Sequence, residues 1–134
     1  MDCKFYGTRL YTSYSKLAYN VDFLKQHVDS SNIIAMVKAN AYGHGDIFIA
    51  KKLQSLGISR FGVADFDEGI RLRNHGVNCS IMVMNPSSYN LRLILENDLE
   101  PVIHNTSTLS MLIQLIQNEK LHQILSKDTI SIHV

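Results

Sequence analysis

Residues 35–45 read AMVKANAYGHG, an apolar run that ends in Lys38 and leads into a loop with two glycines, Gly43 and Gly45. Apolar or β-branched runs of this kind recur along the chain and predict strands. They occupy residues 32–37, 60–64, 80–84, 99–103 and 129–134. Between them, apolar residues return every three or four positions, which is the spacing of helices that bury one face. The sequence therefore predicts alternating strands and helices.

The helix ends are predicted from capping residues. Ser15 is expected to cap a first helix, whose apolar stripe is Leu17, Val21, Leu24 and Val28. Asp65–Glu68 predicts a capping box, in which the last glutamate bonds the backbone where the helix begins. The other predicted starts and stops are Gly57, Gly76, Ser87 or Ser88, and Asn105 or Thr106.

Alternating strands and helices imply an α/β fold with a parallel sheet. The order leaves two architectures open, an open doubly wound sheet and a (β/α)8 barrel. A full barrel takes roughly 250 residues, so this chain would supply about half of one. Thr8–Tyr14 is expected to form an extra strand that could belong to a second domain. The expected division is residues 1–14 for that strand and residues 15–134 for an incomplete barrel.

Composition excludes several classes of protein. The net charge is +1 and the basic residues are scattered, which argues against a nucleic-acid partner. No apolar run approaches the roughly 18 residues that span a membrane. The N-terminus lacks the apolar segment of a signal peptide. Cys3 and Cys79 are far apart, neither they nor the histidines have metal-ligand spacing, and reduced thiols fit a cytoplasmic protein.

Lys38 is the residue with the clearest chemical potential. The carboxyl ends of barrel strands are where active sites of that fold are built. An ammonium group at the edge of a core must be hydrated or paired, so a lysine there is costly as a purely structural residue. A lysine amine can attack an aldehyde and form a Schiff base. The plain alternative is that Lys38 only extends from the strand end into solvent.

Val37–Gly45 resembles the pyridoxal-phosphate attachment motif of the alanine racemase family at every position. A nine-residue match is far more specific than an isolated glycine motif. Leu17–Val21, Phe61–Ala64, Asp67–Arg73 and Ser80–Met84 are similar to further segments of that family. The resemblance covers roughly residues 8–134 and implies the first half of a (β/α)8 TIM-type barrel with parallel strands.

The resemblance also implies roles for individual residues. Lys38 would bind pyridoxal 5'-phosphate as a Schiff base, and would act as the acid/base on one face of the substrate Cα. Tyr42 would donate its hydroxyl to the cofactor phosphate, and Met84 would lie beside the cofactor. For His44, a loop residue that bonds the backbone is the favoured interpretation over a catalytic one. No metal site is expected.

The implied function is that of an alanine racemase, which interconverts L- and D-alanine and supplies D-alanine for peptidoglycan. The full-length form would be a cytoplasmic homodimer. The chain ends before the family's segment that carries an arginine near the cofactor, and it lacks the partner-subunit tyrosine of the opposite face. It is therefore expected to be truncated and inactive alone. The alternatives are a serine or broad-specificity racemase and a non-catalytic, cofactor-binding half-barrel.

Overall fold

The structure, a computed structural model, describes residues 7–29, 33–117 and 129–134. Within that part of the chain, four strands form one parallel sheet in the order β1-β2-β3-β4. They are β1 Ala35–Met36, β2 Arg60–Val63, β3 Ser80–Val83 and β4 Glu100–Pro101. Each strand lies beside its predecessor in the sequence. This order favours a barrel over a doubly wound sheet, whose strand order reverses at a switch point.

Right-handed helices cover one face of the sheet; the first precedes β1, and each of the others follows a strand. They are α1 Tyr14–Lys25, α2 Asp46–Ser55, α3 Phe66–Asn74, α4 Leu91–Glu96 and α5 Thr106–Gln117. Under them, Phe61, Val63, Ile81 and Val83 of the two central strands are fully buried. The predicted glycine stops are confirmed, because Gly57 and Gly76 follow α2 and α3 with φ of +83° and +81°. Asn105 Oδ1 accepts from Thr108 N at 2.8 Å, which confirms the predicted start of α5.

The opposite face of the sheet is more open. Met36, Gly62 and Met82 lie side by side in register there, and both methionines are only half-buried. A Cβ atom at Gly62 would collide with Sδ and Cε of Met36. The absence of a side chain at Gly62 therefore leaves space for the Met36 side chain, which lies across β2.

Several sequence predictions were wrong in detail. Residues 8–13 form no strand, and the helix cap is Ser13, whose Oγ accepts from Lys16 N at 3.4 Å, not Ser15. The stripe of α1 is buried only at Val21, because the residues beyond it meet no covering layer among those described. The domain boundary after residue 14 stays a prediction.

The other departures concern where elements begin and end. α4 begins at Leu91 because Asn90 Oδ1 first accepts from Ser87 N at 2.7 Å and closes a turn. Within residues 129–134, the predicted strand is reduced to one parallel bridge between Val102 and His133. The start of the predicted first strand, residue 32, lies outside the described residues. None of the helices described has the length and apolar character needed to cross a membrane.

Candidate active site

Lys38 and Met84 lie at the same edge of the sheet, where the strands end. Val37 N donates to Gly62 O at 2.9 Å, which keeps the chain beside β2 up to the residue before Lys38. Met84 N donates to Val63 O at 3.0 Å directly after β3. Neighbouring strands lie about 4.8 Å apart, so the ends of β1 and β3 are separated by roughly 10 Å. Both side chains are half-buried. The structure therefore brings these two predicted site residues to one edge.

The loop after Lys38 has an unusual backbone. Lys38–Tyr42 forms one helical turn in which Ala39, Asn40, Ala41 and Tyr42 have φ of 51°, 56°, 50° and 56°. These values are left-handed, and for residues with a Cβ each costs roughly 1–2 kcal/mol. Such strain persists only where surrounding contacts impose it, and it concentrates at functional sites. The turn closes on Gly43, at φ +90°.

The carboxylate of Glu68 holds the start of this turn. Its Oε1 accepts from Ala39 N at 2.7 Å, and its Oε2 accepts from Ala64 N at 2.8 Å. One side chain on α3 thus bonds the amides that follow β1 and β2. The capping-box prediction gave Glu68 the wrong partners. Its carboxylate accepts from Ala64, the residue before the N-cap, and from Ala39 in a distant loop, and not from the amide of the N-cap residue. Asp65 is the N-cap as predicted, and its side chain accepts from Phe66 N.

An ion pair holds the other end of the loop. Asp46 is buried, with 4% of its side chain exposed, and it accepts from Arg71 Nε at 3.0 Å and from the Arg71 terminal nitrogen. Asn40 Oδ1 accepts from Asp46 N at 3.1 Å. The left-handed turn is therefore fixed at its exit by contacts to Asp46. Sequence reasoning missed these three residues, because their partners are 6 and 25 positions away.

Tyr42 and His44 occupy the outer part of the same loop. The Tyr42 side chain is 63% exposed, so its hydroxyl is accessible to a ligand. His44 Nδ1 lies 3.0 Å from Thr12 Oγ1. His44 is a loop residue as expected, but the partner is a side chain of the N-terminal segment and not the backbone. The contact fastens residues ahead of α1 to the loop that carries Lys38.

Two histidines contact the strand ends near Met84. His104 Nε2 hydrogen-bonds Met84 O, and His133 Nε2 lies 2.8 Å from Glu100 Oε2. From the sequence, these histidines were judged only to lack metal-ligand spacing, and neither was assigned a role. Among the described residues, no group of His, Cys, Asp and Glu is arranged to hold a metal ion. The histidines therefore act here in hydrogen bonding between strands.

Within residues 7–29, 33–117 and 129–134, the groups with clearly displaced pKa values lie at the amino edge of the sheet, away from Lys38. Burial lowers the pKa of Arg73, and the charge of Asp98 partly offsets this. Burial also raises the pKa of the Cys79 thiol against the opposing effect of Arg73. Arg73 donates to the carbonyls of Val77 and Cys79 at 2.7 and 2.6 Å. These contacts hold the turn before β3 and belong to the framework, not to the site.

The residues at the carboxyl edge suit a pyridoxal phosphate group. Lys38 would supply an amine for the aldehyde, Tyr42 an accessible hydroxyl for the phosphate, and Met84 an apolar contact. This donor set fits the chemistry of the group.

Fold and site together define a class, a parallel α/β barrel domain with a lysine at the end of its first strand. Comparison with known proteins identifies the family. Residues 12–133 match the family model described as alanine racemase, N-terminal domain. The chain belongs to this family.

Several relatives and solved structures resemble the chain. It is 38% identical to the alanine racemase of Haemophilus influenzae over 72% of its own length, and 37% identical to that of Clostridium kluyveri over 77%. It spans 27% of the length of each of these proteins. The Bacillus anthracis alanine racemase with bound L-Ala-P matches with a TM-score of 0.74 at 27% identity, covering 95% of this chain and 33% of that one. A histidine racemase from Leuconostoc mesenteroides matches with a TM-score of 0.71 at 27% identity, covering 79% and 29%.

Proposed function

We propose that this chain is the cofactor-attachment part of an alanine racemase that interconverts L- and D-alanine with pyridoxal phosphate. The observation that carries the proposal is Lys38 at the carboxyl end of β1, followed by a strained left-handed turn inside the matched motif. The product, D-alanine, would serve peptidoglycan synthesis. The full protein would be a cytoplasmic homodimer.

The chain's own residues support specific parts of this chemistry. Lys38 would hold the cofactor through its aldehyde carbon and, once released, would move a proton at the substrate Cα from one face. Bound pyridoxal phosphate supplies an electron sink for the charge that develops on that carbon. Tyr42 would donate to the phosphate, and Met84 would exclude water beside the ring. Racemisation needs a second proton-transfer group on the opposite face, which none of these residues provides.

The first experiment is reductive trapping of the cofactor. The chain is incubated with pyridoxal phosphate, reduced with borohydride, digested and mapped by mass spectrometry. We expect a stoichiometric adduct on Lys38, with little on Lys51 and Lys52 of α2. Lys38→Arg should lose the adduct, whereas Lys51→Arg should keep it. An adduct spread evenly over the lysines would contradict the proposal.

A second candidate is a racemase that acts on another amino acid. It is favoured by the match to the histidine racemase of Leuconostoc mesenteroides, whose identity to this chain equals that of the Bacillus anthracis alanine racemase. Incubation of the full protein with L-alanine, L-serine and L-histidine, followed by chiral chromatography, distinguishes the two. Conversion of alanine alone supports the first proposal. Binding of cofactor without turnover of any of the three would indicate a non-catalytic binding protein.

A further inference from the structure

Glu68 connects two loops that the sequence does not connect. Its two carboxylate oxygens each accept one backbone amide, from Ala39 and from Ala64. Ala39 is the residue directly after Lys38 and the first of the left-handed turn. The carboxylate therefore fixes the peptide bond on the carboxyl side of Lys38 relative to the end of β2.

Helix α3 holds both ends of the Lys38 loop from one face. Glu68 and Arg71 are three residues apart and so are neighbours on the helix surface. Glu68 bonds the amide at the entry of the turn, and Arg71 bonds the Asp46 carboxylate at its exit. The strained turn is thus held at both ends by contacts from one helix, α3, which lies more than twenty residues later in the sequence.

The chemistry of the contact requires a carboxylate of this length. Two converging N–H donors need two acceptor oxygens, and a glutamine offers only one because its amide nitrogen donates. An aspartate is one methylene shorter and cannot reach both loops from the same position. Glu68 also lies in the first turn of α3, where the helix dipole stabilises a negative charge.

We propose that Glu68 is a positioning residue for Lys38, and that its carboxylate sets the direction from which the amine meets the aldehyde of pyridoxal phosphate. This inference rests on the proposed function of Lys38. It assigns Glu68 a role in the approach of the cofactor in addition to joining the loops that follow β1 and β2.

The test compares Glu68→Gln and Glu68→Asp with Asp67→Asn, an exposed carboxylate in the same helical turn. The rate of borohydride-trapped adduct formation with pyridoxal phosphate is measured at Lys38, with Lys51 as a reference within the chain. Acetylation of Lys38 by an N-hydroxysuccinimide ester reports its general accessibility. We expect both Glu68 variants to slow adduct formation at Lys38 about tenfold, the order expected for a lost charge-assisted hydrogen bond. Acetylation and the Asp67→Asn variant should be unchanged.

Adduct formation equal to that of Asp67→Asn would overturn the positioning role. A parallel rise in acetylation would also overturn it, because unfolding of the loop would expose the half-buried Lys38 amine to the ester. Absence of a preferred Lys38 adduct in the unmodified chain would instead overturn the proposed function, on which this role depends. Hydrogen exchange of the unmodified chain tests the contact without any substitution. Ala39 is an exposed residue, but its amide should still be protected because it donates to Glu68. Exchange of that amide at the rate of an unstructured peptide would refute the contact itself.

Discussion

Replacing Ala39 by glycine should stabilise the protein, against the usual effect of glycine. Ala39 has φ 51° and ψ 48°, and a residue with a Cβ in this conformation costs roughly 1–2 kcal/mol. Glycine removes that cost, but it also increases the conformational entropy of the unfolded chain, which lowers the free energy of unfolding by about 0.5–1 kcal/mol. Ala39 is exposed, so little buried apolar area is lost. The difference predicts a gain of about 0.8 kcal/mol in the free energy of unfolding.

Urea unfolding followed by circular dichroism measures this difference directly. The matched control is Ala18→Gly in α1, where the backbone is right-handed and glycine should cost about 0.5–1 kcal/mol. The two substitutions remove the same methyl group and should shift the unfolding midpoint in opposite directions. If Ala39→Gly destabilised the chain as much as Ala18→Gly does, the left-handed turn would not be a source of strain.

Three further perturbations test other parts of the structure. Arg71→Met leaves the buried Asp46 carboxylate without its guanidinium and should lower the free energy of unfolding by about 1–3 kcal/mol in urea, whereas Arg92→Met breaks an exposed pair and should cost under about 0.5 kcal/mol. Gly62→Ala should cost about 1–3 kcal/mol by displacing Met36, and Met36→Ala in the same chain should recover most of it in a double-mutant cycle. Burial raises the pKa of Cys79, so iodoacetamide at about pH 8.5 should modify it more slowly than glutathione, as followed by mass spectrometry. A reaction faster than that of glutathione would contradict the raised pKa. The stability contributed by burial of the neutral thiol is fully present below the ordinary thiol pKa and is lost as pH rises through the raised value.

The alternation of strands and helices could be predicted because it depends on local periodicity. Runs such as Ile81–Val83 are apolar throughout, since the sheet is covered by helices on one face and lies within a barrel-type fold. The helix ends at Gly57 and Gly76 could also be predicted, because each depends on the backbone conformation of a single glycine. The motif around Lys38 identified the family from nine consecutive letters.

The contacts that shape the loop could not be predicted in this way. Alanine and tyrosine carry no preference for left-handed backbone, and among the four residues of the turn only Asn40 tolerates it well. The turn is held by Glu68, which bonds Ala39, and by Asp46, which bonds Asn40 and is itself paired with Arg71. The pattern of Asp65–Glu68 pointed to a local cap, and only the packing of α3 against the turn reveals the actual partners. Likewise, the strand expected at Thr8–Tyr14 has no described neighbour to pair with.

The dependence of the Lys38 turn on helix α3 sets an order of events during synthesis. The nine residues of the motif leave the ribosome before residues 60–74, which contain β2 and both side chains that hold the turn. Translation adds roughly 5–20 residues per second, so the side chains that hold the turn are synthesised about one to several seconds after the motif. Lys38 is therefore present in the nascent chain before the side chains that hold the left-handed turn have been synthesised.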